Sequence, residues 1–175
     1  MPDEVRVYFD TNLYLNKFQD PYRIKPETNH MFGKVKSGEF RLVISQTTMM
    51  EIYHVLCLAI EQISDFEAAE EAMDEVTKTY NIIKKTMLSF PNTEFPDKEF
   101  DGIEPKNLIN FVENVPGSSL IDFKGKKLPG SMDFIHLMVA SNLKCEKFFT
   151  YDTGVLKLDS YGYKGNLKIV KPYRP

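Results

Sequence analysis

Five residues of β-type character, Val5-Arg6-Val7-Tyr8-Phe9, run into an acid, a hydroxyl and an amide, Asp10-Thr11-Asn12, before Leu13-Tyr14-Leu15 resume in a helical pattern. A strand that stops this abruptly and turns directly into a helix is the repeating piece of parallel α/β sheets. Ligands in open sheets of that kind bind outside the carboxyl ends of the strands, so an acid at the exit of the first strand is positioned for chemistry. A lone strand-end Asp serves equally as a turn or helix cap, because its side chain accepts from nearby backbone N–H groups. What separates the two roles is whether other acids arrive at matching places.

Along the chain, 11–18 reads as a short helix that Gln19-Asp20-Pro21 closes, since the residue before proline disfavours helical angles. Met31, Phe32 and Val35 mark a second helix over 27–36, and Phe40-Arg41-Leu42-Val43-Ile44 a second strand, with Ser45 as N-cap of the helix after it. That helix, expected over 46–63, is apolar on nearly every side and so is expected to be buried all round. Glu51 lies within it, and a glutamate in such surroundings needs a partner, a metal or a polar cleft. His54, one turn on, reads as a hydrogen-bonded core histidine rather than a ligand. A long amphipathic helix is expected over 66–88, its acids Glu67, Glu70, Glu71, Asp74 and Glu75 early and Lys78, Lys84 and Lys85 late, in accord with the helix dipole and a solvated face. Residues 90–102 read as irregular, 106–115 as a short helix and 118–130 as a loop, so 64–130 forms an elongated helical and loop insertion. Ser131 is the expected cap of a helix with Asp133 in its first turn, where ordinary charge complementation is the plain alternative to a functional role. Lys147-Phe148-Phe149-Thr150 is a strand leading to Asp152, another acid at a strand exit, and 166–170 a last strand.

Alternating strands and helices predict an α/β fold, a three-layer α/β/α sandwich around a mainly parallel sheet. With 175 residues, 42% of them hydrophobic, the chain can bury one core, and a single domain over 1–175 is expected. The net charge of −3 argues against generic nucleic-acid affinity but leaves room for a local basic patch and does not exclude RNA. There is no run of about eighteen apolar residues, and Met1-Pro2-Asp3-Glu4 is acidic where a secretory leader would be basic, so a soluble, cytoplasmic protein without a membrane association is expected. Cys57 and Cys145 are too few for a disulfide framework or a zinc site and are expected as buried thiols.

Asp10, Glu51, Asp133 and Asp152 thus fall at or near one rim of the expected sheet. Carboxylates gathered there repel one another unless a cation sits among them. Oxygen donors without a His or Cys cluster point to a hard ion, Mg²⁺ or Mn²⁺, which favours phosphate chemistry.

With Tyr8-Phe9-Asp10-Thr11-Asn12, Ser45 through Ile52, Asp133-Phe134-Ile135-His136-Leu137 and Thr150-Tyr151-Asp152 set in this order, the chain resembles the PIN-domain ribonucleases, including the VapC-type toxins. The resemblance spans 5–170 and implies a divalent-metal-dependent endoribonuclease that hydrolyses RNA phosphodiester bonds. It implies that Asp10, Glu51, Asp133 and Asp152 hold the metal and activate water, and that Thr11, Asn12 and Thr150 orient them by hydrogen bonds. It further implies a toxin–antitoxin setting, a cognate antitoxin as partner and a homodimer. The chain departs from compact toxins over 66–130, where substrate choice and the antitoxin surface are therefore open. Lys124, Lys126 and Lys127, just before Asp133, are either a solvated loop or a contact for the RNA backbone. A haloacid-dehalogenase-type phosphatase would need a second Asp where Asn12 stands. A housekeeping RNA-processing nuclease and a PIN-like module that binds RNA or protein without cutting it are the remaining alternatives.

Overall fold

The computed structural model describes residues 4–18, 23–58, 60, 63, 65–96, 129–160 and 166–175. Five strands, β1 (Val5–Phe9), β2 (Phe40–Val43), β3 (Thr93–Glu94), β4 (Lys147–Phe149) and β5 (Lys168–Val170), form a parallel sheet in the order β3-β2-β1-β4-β5. The described helices are α1 (Thr11–Phe18), α2 (Pro26–Lys36), α3 (Gln46–Leu58), α4 (Phe66–Leu88), α5 (Ser131–Asn142) and α6 (Thr153–Ser160). The strand–helix alternation therefore yields the expected sandwich, with every strand pairing parallel.

The two-residue period of the strands sorts side chains between the outer layers. From β1, Val7 and Phe9 enter a core with Leu13 and Tyr14 of α1, Met31 and Phe32 of α2, Ile52 and Leu56 of α3, and Ile83 and Met87 of α4. Tyr8 faces the other way, into a core with Leu137, Val139 and Ala140 of α5 and Val155 and Leu158 of α6. Neighbouring β4 repeats the division, Phe149 joining the first core and Phe148 the second. Register ties these strands together through Tyr8 opposite Phe148 and Phe9 opposite Phe149, and the ladder continues past β1 when the Asp10 N–H donates to the Phe149 carbonyl at 2.9 Å. The sheet order reverses at β1: β2 lies on one side and β4 on the other. That reversal opens a crevice at the carboxyl ends of β1 and β4, where an α/β sheet binds ligands.

Three expectations are corrected. Helix α3 ends at Leu58, not residue 63, and is not buried all round, since Met50, Tyr53 and Leu58 are exposed. It lies in an outer layer, with Thr47, Thr48, Ile52 and Leu56 turned inward, and α4 covers only part of its remaining surface, as where Tyr53 meets Tyr80 edge-on at 5.2 Å. The region after α4 is not wholly irregular: Thr93 and Glu94 pair with Leu42 and Val43 as an edge strand, and Glu94 binds Arg6 at 2.8 Å. Cys145 is buried, its thiol pushed up to about 12 by burial, but Cys57 is only half-buried. On α4 the early acids are exposed as expected. Its N-cap is Asp65, whose carboxylate accepts from the Ala68 N–H at 2.9 Å. The helix expected over 106–115 and the basic residues Lys124, Lys126 and Lys127 lie outside the described residues. No described helix is long and apolar enough to cross a membrane.

Candidate metal centre

Asp10 follows the last residue of β1, where the ladder bond to Phe149 fixes its backbone. Its side chain is held from two elements, Asn12 Nδ2 of α1 and Thr150 Oγ1 after β4 each donating to Oδ2 at 2.5 Å. Burial is the strongest influence on the acid and pushes its pKa up to about 6. The Thr150 hydrogen bond and the charge of His136 work against that rise, while Asp133 and Glu51 add to it.

Glu51 arrives from α3. Ser45 caps that helix by accepting from the Thr48 N–H at 2.9 Å, and Thr48 and Glu51, three residues apart, turn to one face. Glu51 Oε2 accepts from Thr11 Oγ1 at 2.5 Å and lies 2.5 Å from His136 Nε2. Burial on its own would raise the Glu51 carboxyl, but hydrogen bonds from His136 and Thr11, with the charges of His136 and His54, hold it below the usual glutamate range. His54 itself is exposed, not the core histidine expected from its apolar helix, because it lies on the outer side of α3.

His136 completes the group, and the apolar run of α5 had concealed it. It is fully buried on the sheet side of that helix, its Nδ1 2.8 Å from the Tyr8 hydroxyl, which also meets Ser45 Oγ at 2.5 Å and Thr48 Oγ1 at 2.8 Å. Ligand atoms of Asp10, Glu51 and His136 all lie within 4.8 Å of one another. Among the described residues the tight group holds two carboxylates and an imidazole, where the sequence pointed to oxygen donors alone. The signal that could have exposed His136 is its spacing: three residues after Asp133 it shares a helix face with that acid, and a buried imidazole needs polar partners.

Asp133 and Asp152 occupy the same neighbourhood in a different manner. Asp133 Oδ2 accepts from the Gly130 N–H at 2.6 Å, closing the first turn of α5. Asp152 Oδ1 accepts from the N–H groups of Gly154 at 2.6 Å and Val155 at 3.1 Å, capping α6. Asp152 is a helix cap, whereas Asp133 is the third residue of α5, whose N-cap is Gly130 rather than the expected Ser131, and neither acid belongs to the tight group. They remain electrostatic neighbours of it: burial lifts the Asp133 carboxyl, the Gly130 N–H opposes this, and the charges of Asp152 and Glu51 raise it further. Thr11, Asn12 and Thr150 all donate to Asp10 or Glu51, and Thr150 Oγ1 also accepts from the Asp152 N–H at 2.9 Å, so one hydroxyl links two of the acids.

The donor set suits a divalent cation. Each acid of the tight group ties one oxygen to protein donors, and the other oxygen makes no hydrogen bond among the described residues. Ligands about 2.1 Å from a common ion stand roughly 3 to 4 Å apart, so the observed spacing needs only a small contraction to close on one. No protein-family model matches the chain, and no curated protein matches it.

Proposed function

We propose that this chain is a divalent-metal-dependent endoribonuclease of PIN type, using Mg²⁺ or Mn²⁺ to hydrolyse RNA phosphodiester bonds. The carrying observation is the convergence of Asp10, Glu51 and His136 within 4.8 Å at the carboxyl ends of parallel strands. A bound divalent ion would neutralise phosphate charge and lower the pKa of an attacking water. Asp10 and Glu51 would hold it through the oxygens that protein donors leave unbonded. Thr11, Asn12 and Thr150 orient those two acids by hydrogen bonds, which limits the rearrangement that ion binding would require. Asp133 and Asp152 add negative charge at the same rim, and an RNA phosphate can approach only with a cation between.

We extend this reading to a toxin of a toxin–antitoxin pair acting in the cytoplasm, with an antitoxin and a second copy of the chain as partners. The test is cleavage of labelled single-stranded RNA by the full chain with Mg²⁺, Mn²⁺ or EDTA. Cleavage is expected with either ion and not with EDTA, and Asp10→Asn should lower it by about a hundredfold or more. Cleavage that survives both EDTA and Asp10→Asn sinks the metal mechanism.

A further inference from the structure

We propose that Nε2 of His136 is a direct ligand of the bound ion, beside Asp10 and Glu51, and that this nitrogen makes the centre favour Mn²⁺ over Mg²⁺. This rests on the metal-dependent reading above and deepens it.

The hydrogen bonds around the ring carry the inference. An ionised carboxylate only accepts, so with no ion present the 2.5 Å contact to Glu51 Oε2 requires a proton on Nε2. Binding an ion there requires that nitrogen to be bare. A neutral ring keeps its one proton by carrying it on Nδ1, and that N–H then needs an acceptor, because His136 is fully buried and water does not reach it. The Tyr8 hydroxyl oxygen, 2.8 Å away, is that acceptor. Its own hydrogen turns to Ser45 Oγ at 2.5 Å or Thr48 Oγ1 at 2.8 Å. The two hydroxyls, 3.1 Å apart, bond one another, and Ser45 Oγ also takes the Thr48 N–H. Every donor in the chain keeps a partner in the new tautomer, so the switch strands no buried polar group. A histidine that served only to hold Glu51 would need no such adaptable network behind it. Metal-ligating histidines are held in this way through their second nitrogen.

Donor chemistry then sets the preference. Mg²⁺ is hard, keeps its waters and takes oxygen ligands, whereas imidazole suits the later divalent ions, and Mn²⁺ accepts both carboxylate and imidazole. Glu51 is half-buried and sits on a helix with an exposed outer face, so it can draw back from Nε2 to admit the ion.

The test is calorimetric titration of the EDTA-treated full chain with Mn²⁺ and with Mg²⁺, joined to pulsed electron paramagnetic resonance of the Mn²⁺-loaded protein. Expected are a ¹⁴N coupling from a directly bound imidazole and an affinity for Mn²⁺ at least about tenfold above that for Mg²⁺. His136→Gln should abolish the coupling and most of the preference. Tyr8→Phe should keep the coupling but weaken Mn²⁺ about tenfold. Mn²⁺ that binds with no nitrogen coupling overturns the assignment of His136 and leaves the metal-dependent reading standing. Failure of both ions to bind overturns both readings. If His136→Gln does not fold, the coupling in a His30→Gln, His54→Gln double variant decides the matter, since those are the other two histidines of the chain.

Discussion

At Asp10 the protein holds a carboxyl group that is only 5% exposed between donors that all reach the same oxygen. Its pKa rises from an ordinary 3.8 to about 6, chiefly through burial, so the folded state binds a proton more tightly than the unfolded chain does. The stabilisation from that proton is complete below about pH 3.8 and is lost as pH rises through about 6. Each tenfold gain in proton affinity is worth about 1.36 kcal/mol, so the metal-free protein at pH 7.5 carries a penalty of about 2–3 kcal/mol from this one group. Asp10→Asn removes the penalty. In EDTA, urea unfolding should show Asp10→Asn more stable than the parent by about 2 kcal/mol at pH 7.5 and level with it at pH 4. A variant less stable at pH 7.5 would contradict this account of the site. Asp10 and Glu51 were legible in the sequence because each was an acid out of place, one at a strand exit and one in an apolar helix. His136 was not, because only the fold brings Tyr8, Ser45 and Thr48 around it.

Elements with a strong pattern were readable for the same reason that they are stable: the period of β1 and the apolar stripe of α4 each fix one buried face. Where the pattern was short or misleading, tertiary context decided. The two residues of β3 have no period of their own and are strand only because β2 offers an edge, the Leu42 N–H reaching the Asn92 carbonyl at 2.8 Å and the Ile44 N–H that of Glu94 at 2.9 Å. The apolar composition of α3 overstated its burial, since its exposed side meets only part of α4. Its N-terminus was legible because Ser45 can do locally what a cap requires. The two serviceable caps in this layer make a comparison. Ser45 is buried and also supports Tyr8, whereas Asp65 at the start of α4 is exposed. Ser45→Ala should cost about 1–2 kcal/mol and Asp65→Ala about 0.5–1 kcal/mol in urea unfolding. Equal costs would show that the hydroxyl chain beneath His136 contributes nothing to holding α3.

For the whole molecule, the sheet order is what assembles the site. Asp10 at the end of β1, Thr150 at the end of β4 and Glu51 on the helix after β2 meet because those strands are neighbours in β3-β2-β1-β4-β5, although Asp10 and Thr150 are 140 residues apart in sequence. Like charges gathered in this way oppose folding, and under the proposed metal binding a cation would relieve that repulsion, so that ion binding and stability would form one equilibrium. A divalent ion at a hundred times its Kd should stabilise the chain by about 2.7 kcal/mol, a rise in Tm of roughly 5–10 °C for a domain of this size. Protons compete with the ion for Asp10, and one group with a pKa of about 6 loses about tenfold in effective affinity by pH 5. At the same ion concentration the gain should therefore fall to about 1.4 kcal/mol, close to half. Thermal unfolding in Mn²⁺ and in EDTA at pH 7.5 and pH 5 measures both differences, and an undiminished gain at pH 5 would mean that the ion binds without displacing a proton from Asp10.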